Sequence, residues 1–230
     1  MLGKGEDLNI DIPISFSSRD QMWNLGPGSH HDNLLETWNL SPVARLKKET
    51  WSAELGANFR RDELDLQQYA EMTRQKQTGR AELERETAGI FSAVEYEPWT
   101  GWHFSAAARC EKTSIAATAQ SLLFPDDPSL NFSSENDEIN RAYQIGVRWE
   151  PRADLDFWLR YDRLYRLPST DEIASYQGFP LSEPFNAELK AETGNNYELG
   201  GEYRIDGWKL RGNGFLQQLT GEIGYDFQKT

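Results

Sequence analysis

"EYEPWTGWHFSAAARCEK", residues 95–112, places Trp99 and Trp102 around a Pro/Gly turn and then alternates strictly. Trp102, Phe104, Ala106, Ala108 and Cys110 fall on every second residue, and His103, Ser105, Arg109 and Glu111 fill the gaps. Side chains of a strand point alternately to its two faces, so this segment reads as a strand with one apolar and one polar face. Whether the apolar face meets a protein core or lipid decides the fold.

The same alternation recurs in nine stretches. Leu8, Ile10, Ile12, Ile14 and Phe16 form the first apolar row; Trp38, Leu40, Ala44 and Leu46 the second; Trp51, Ala53, Leu55, Ala57 and Phe59 the third. Ile90, Val94 and Tyr96 precede the opening strand. Tyr143 to Trp149, Leu155 to Tyr161, Tyr197 to Ile205 and Trp208 to Leu216 follow it. The opposite rows are polar, for example Ser52, Glu54, Asn58 and Arg60, or Asn196, Glu198, Glu202 and Arg204. Each run matches the roughly 9–11 residues that a tilted strand needs to cross a bilayer.

The 230 residues carry 27% charged and 38% hydrophobic side chains and a net charge of −13. No apolar run approaches the roughly 20 residues of a membrane helix, which excludes helical spans but not a barrel of strands. The negative balance argues against nucleic acid, because no basic stripe is present to neutralise phosphates. Cys110 is the single cysteine, so no intrachain disulfide framework or cysteine-based zinc cluster can form. The opening MLGKGEDLNI lacks the features of a secretory signal.

Connections alternate too. Short ones occur at KKET, PWTG, PRAD and the Asp206-Gly207 pair, and long polar ones at roughly 20–34, 63–84, 117–138 and 167–193. Short turns on one side and long loops on the other characterise an outer-membrane barrel. Trp51, Trp99, Trp102, Trp149 and Trp208, with Tyr96 and Tyr203, lie beside the short turns, where amphipathic rings sit at headgroup level. Phe16, Phe59, Tyr143, Tyr161 and Tyr165 are expected to form the second belt. The fold expected is therefore all-β: an antiparallel transmembrane β-barrel portion of about nine strands, with short periplasmic turns and long extracellular loops. Nine is odd, and an open sheet in lipid leaves unpaired edges, so residues 1–230 are expected to be part of a larger barrel. The competing reading is a soluble antiparallel sandwich or β-solenoid whose strand-end aromatics pack under loops.

At YRLPSTDEI, residues 165–173, then NAELKAETGNNYELGGEY and GWKLRGNGFLQQLTGEIGYD, the chain resembles the barrel of TonB-dependent outer-membrane receptors. Tyr165, Arg166, Pro168, Ser169, Glu172 and Ile173 match the first motif. Asn186, Leu189, Glu192, Thr193 and Tyr197 to Gly200 match the second. Residues 88–115 are similar to the family's paired mid-barrel strands, and the resemblance covers at least residues 86–230. Ala187 and Ala191 stand where the family commonly has prolines, and nothing in the sequence resembles its N-terminal plug or the box that contacts TonB. The resemblance implies a 22-stranded plugged barrel in the outer membrane. Such a barrel imports a scarce ligand, a siderophore-iron complex, haem, cobalamin or a glycan, with TonB acting only through a plug and box outside this sequence. The alternatives are a passive outer-membrane channel or structural barrel fragment, and a soluble carbohydrate-binding β protein.

Candidate site residues are sparse. Asp126, Asp127, Asp137 and Glu138 are hard oxygen donors in one acidic loop, without EF-hand spacing; solvated charge is the simpler reading. His30 and His31 are adjacent imidazoles in a Gly/Pro loop, weak as metal ligands. Tyr176, Phe179 and Phe185 in the longest loop suit a bulky ligand or loop packing equally. Arg166 is expected to pair with Asp162 or Glu172 in a structural role, and His103 to face the lumen. No catalytic constellation emerges, so the expectation is a non-enzyme with no catalytic or metal residues and no cofactor, its ligand-binding residues unassigned. Its partners are the bilayer and an extracellular small ligand.

Overall fold

The structure, a computed structural model, describes residues 7–26, 29–128, 131–173 and 189–224. Among the described residues eleven strands form one antiparallel sheet: β1 (Asp7–Asp11), β2 (Ile14–Gly26), β3 (Ser29–Leu40), β4 (Val43–Lys47), β5 (Trp51–Tyr69), β6 (Gln77–Trp99), β7 (Trp102–Ser121), β8 (Phe132–Arg152), β9 (Leu155–Arg166), β10 (Glu192–Ile205) and β11 (Trp208–Thr220). A single turn, α1 (Thr170–Ile173), follows β9. β1 pairs with β4 and β2 with β3, while β3 and β4 both pair with β5. β1/β2 and β3/β4 are thus two halves each of one strand. Nine runs remain, in sequence order from β1/β2 to β11, as the alternation implies.

The breaks fall where proline removes a donor. The pairing persists there through carbonyls: Ser41 N donates to Pro13 O at 3.0 Å, and Ala57 N to Pro42 O at 3.0 Å. Two short turns show equally local causes. Asp206 and Gly207 have φ of 48° and 81°, the two left-handed residues of a type I′ hairpin. Gly101 sits at φ 80°, and a Cβ there would lie 2.4 Å from Glu150 O, so no other residue fits.

We call the face that bears Leu55, Ile90, Ile145 and Leu199 the outer face. These four side chains are 64%, 64%, 61% and 64% exposed although they lie in the middle of long paired strands. A soluble sandwich would bury this row under a second sheet; here it forms a continuous apolar band, the surface of a sheet made for lipid. Toward the short turns the band ends in rings: Trp102 stacks on Trp149 at 5.5 Å, and Trp149 on Phe157 at 6.0 Å. Toward the long connections it ends in Phe16–Trp38 at 4.6 Å, Tyr143–Tyr161 at 5.9 Å and Tyr161–Tyr197 at 4.9 Å. Tyr165 does not join this belt. β9 leaves β8 after the Tyr143–Arg163 pair, and the Tyr165 hydroxyl accepts from Arg109 Nε at 3.0 Å on the inner face.

Three expected loops are mostly strand. β5 runs to Tyr69 and β6 starts at Gln77; β7 runs to Ser121 and β8 starts at Phe132; β2 and β3 fill most of 20–34. The cause is a phase inversion. Along β5 the outer row changes from Ala57 and Phe59 to Arg61, Glu63 and Asp65, while the inner row changes from Glu54 and Asn58 to Leu64 and Leu66. β6 does the same, with outer Ile90 giving way to Glu86, Glu84 and Glu82, and inner Leu83 and Ala81 becoming buried. In β7, inner Ile115, Ala117 and Ala119 are buried. Above the band the outer surface meets water, so the strand keeps its pairing and swaps its polarity.

This geometry sets a depth-dependent tolerance for charge. Ile145→Arg, at the centre of the band, is expected to destabilise the bilayer-folded protein by about 2–4 kcal/mol, and Glu135→Arg, on the same face and strand above the band, by about 1 kcal/mol or less. Denaturant unfolding in lipid vesicles measures both, and equal small effects would refute a lipid-facing band.

Candidate functional site

The inner face carries the polar chemistry. Asp62, 1% exposed, is its most buried charge. Thr37 Oγ1 donates to it at 2.7 Å, Arg60 Nε at 2.9 Å and Arg85 Nη2 at 2.6 Å. Arg85 Nη1 also donates to Pro168 O at 2.7 Å, tying the corner after β9 to the wall of β6. Removing Arg85 would leave Asp62 with Arg60 and Thr37 as its remaining donors and would take away the tie to Pro168.

The corner itself follows from its sequence. Ser169 and Glu172 form a reciprocal capping box: Glu172 N donates to Ser169 Oγ at 3.2 Å, and Ser169 N to Glu172 Oε2 at 2.7 Å. Arg166 donates to both Glu172 oxygens at 2.9 and 3.0 Å and to both Glu192 oxygens at 2.8 Å. Ile173 is fully buried in a cluster with Leu64, Ala81, Leu83, Ile115, Ala117 and Ala119. The inverted apolar rows of β5 to β7 therefore exist to receive this corner.

Nearer the short turns the inner wall is a ladder of ion pairs. Arg148 bridges Glu150 and Asp156 at 2.7 Å each, Arg45 bridges Asp11 at 2.5 Å and Glu54 at 2.7 Å, and Lys209 meets Glu202 at 2.9 Å. Trp158 Nε1 donates to Glu198 at 2.9 Å, and Arg211 lies 4.7 Å from the indole centroid. A recess of about 470 Å³ opens here, its lining including Ser52, Glu95, His103, Gln144, Arg148 and Arg160.

The expected site residues fall out as follows. His103 is on the inner face, 3.7 Å from Glu97 and 3.8 Å from Glu150. Arg166 takes Glu172, as expected, but Glu192 rather than Asp162. Asp162 accepts from Arg160 at 2.7 Å and Asn196 at 3.1 Å. His30 and His31 are consecutive residues of β3, and His30 Nδ1 lies 2.8 Å from Asn24 Oδ1, so alternation separates the two rings. The acidic loop does not converge. Asp137 meets Lys112 at 2.7 Å on the outer face, whereas Glu138 on the other face accepts Ala191 N at 3.1 Å. Among the described residues no group of three metal-binding side chains forms. Tyr176, Phe179 and Phe185 lie outside the described residues. Sequence reasoning missed the Asp62–Arg85 hub; its signal was the phase inversion, which puts an acid and a base on the side that had just turned apolar.

Glu172 lies outside the strands, and its carboxyl is held below the ordinary range by the Arg166 hydrogen bonds, helped by the Ser169 amide against partial burial. A carboxylate depressed on folding stabilises fully above its unfolded value of about 4.3 and loses this as pH falls through the folded value. Hydrogen-exchange protection of 169–173 should therefore be flat from neutral pH to about 5 and collapse below about 4. Arg166→Gln should move that loss upward in pH; an unchanged midpoint would refute the assignment.

No curated protein matches the sequence. A family model described as "TonB dependent receptor-like, beta-barrel" matches residues 6–230. Similar solved structures include the ferric yersiniabactin uptake receptor FyuA from Yersinia pestis (TM-score 0.68, 13% identity, 95% of this chain and 34% of that one). The copper transporter OprC (0.72, 11%, 95% and 37%) and the alcaligin outer-membrane receptor FauA from Bordetella pertussis (0.64, 14%, 93% and 34%) share the same fold. The chain spans about a third of the length of these structures. With a lipid-type outer band, a charged inner wall and a family match across nearly its whole length, the chain belongs to the TonB-dependent receptor-like β-barrel family.

Proposed function

We propose that residues 1–230 supply part of the barrel wall of an outer-membrane receptor that imports a scarce small ligand by energy coupling. The observation that carries this is the corner after β9, folded onto the inner wall and fixed by Arg85 and Ile173. It places an ordered segment on the inner face at the long-connection end, which supports a wall built to hold something inside it. A metal complex fits best within the ligand classes of siderophore-iron, haem, cobalamin or glycan, because several neighbours bear the names of metal-uptake receptors. TonB would act through a plug carried outside these residues.

Uptake of radiolabelled ferric siderophore by cells carrying the intact receptor separates the readings. Import should require the receptor and stop when the inner-membrane proton gradient is collapsed. Uptake that persists after collapse would identify a passive channel instead.

A further inference from the structure

We propose that Lys112, Arg141 and Arg163 form a binding site, on the outer face, for the phosphate groups of an anionic lipid in the leaflet on the long-connection side. The three lie on neighbouring strands β7, β8 and β9. Cys110 pairs with Arg141, and Tyr143 with Arg163, so Lys112, Arg141 and Arg163 are successive diagonal neighbours on one face, with about 7–8 Å per step. Lys112, Arg141 and Arg163 stand 10, 11 and 8 residues from the short-turn ends of their strands, close to the roughly 9–11 residues with which a tilted strand spans the hydrocarbon. Directly below is the Tyr143–Tyr161–Tyr197 row, which marks the headgroup boundary.

Charge at this height is treated differently on either side of the sheet. On β5 and β6, Arg61 is met by Glu63 at 2.6 Å, Glu84 at 3.0 Å and Glu86 at 3.5 Å, so that patch is self-contained and acidic. On β7 to β9 the balance reverses. Lys112 has Asp137 at 2.7 Å, Arg163 reaches only the neutral Asn195 Oδ1 at 3.5 Å, and Arg141, exposed, makes no hydrogen bond or ion pair among the described residues. Of these three cations only Lys112 has an ion-pair partner among the described residues, in a chain of net charge −13. Two guanidinium forks at a headgroup boundary, uncommitted to protein acids, match the geometry of bidentate phosphate binding. Acyl chains of the same lipid would lie along Cys110, Ile145 and Leu159, the exposed band below. The proposal rests on the membrane reading of the outer band.

The test uses the protein in its expressed length, extracted from membranes, with lipid A, a doubly phosphorylated glycolipid, as probe and native mass spectrometry as readout. Arg141→Gln/Arg163→Gln should weaken lipid A retention about 30-fold, the effect of two headgroup-level cations. Arg141→Lys/Arg163→Lys should restore part of it, the charge without the fork, and dephosphorylated lipid A should bind wild type no better than intact lipid A binds the Gln variant. A heat-dependent gel shift, unchanged in all variants, confirms that each is folded. Equal lipid A retention by folded wild type and Gln variant overturns the site and leaves the membrane reading intact. Wild type that remains monodisperse without detergent overturns both.

Discussion

Every backbone amide and carbonyl in hydrocarbon has to find a partner within the protein, since an unpaired one costs several kcal/mol. That single requirement explains why the pairing here runs without interruption from β1/β2 to β11. Pro13 and Pro42 would each open a gap, yet neighbouring amides use their carbonyls and the two halves stay in line. The left-handed pair at Asp206-Gly207 and the cradle at Gly101 let long strands reverse in two residues, so nothing irregular sits in the band on that side.

Because the ladder is fixed, side chains carry all the information about environment. The inversion in β5, β6 and β7 shows how. Lipid outside and polar lumen inside give one phase; water outside and a packed corner inside give the other. The strand crosses the boundary by exchanging Phe59 for Arg61 on one face and Asn58 for Leu64 on the other. The corner that fills the inverted region is held by an ion pair at Asp62, a capping box at Ser169 and one aliphatic anchor, Ile173. Structure at the mouth therefore depends on polarity at the membrane edge.

Strict alternation from Trp102 to Cys110 and in eight other runs made the strands, their order and the apolar face legible, and the tryptophans marked the short-turn edge. The extensions of β5 to β8 were not legible, because a run such as Arg61 to Leu66 still alternates but in the opposite sense, and its charges read as loop. Tyr165 illustrates the limit of counting: parity assigns it to the belt, and the departure of β9 from β8 turns it inward. His103 and the Arg166–Glu172 pair were readable because parity and local spacing sufficed. Asp62–Arg85 joins residues 23 apart and needs the pairing of β5 with β6 to be seen.

The most direct test is a nitroxide scan along β5, residues 53–66, in a Cys110→Ala background, with the protein in bilayers. Collisions with oxygen, concentrated in lipid, should peak at 53, 55, 57 and 59. From 61 onward the same parity should instead favour a water-soluble nickel reagent, and 64 and 66 should be shielded from both. If the odd positions meet the water-soluble reagent throughout, the outer band does not face lipid and the account of this chain as a membrane barrel wall is wrong.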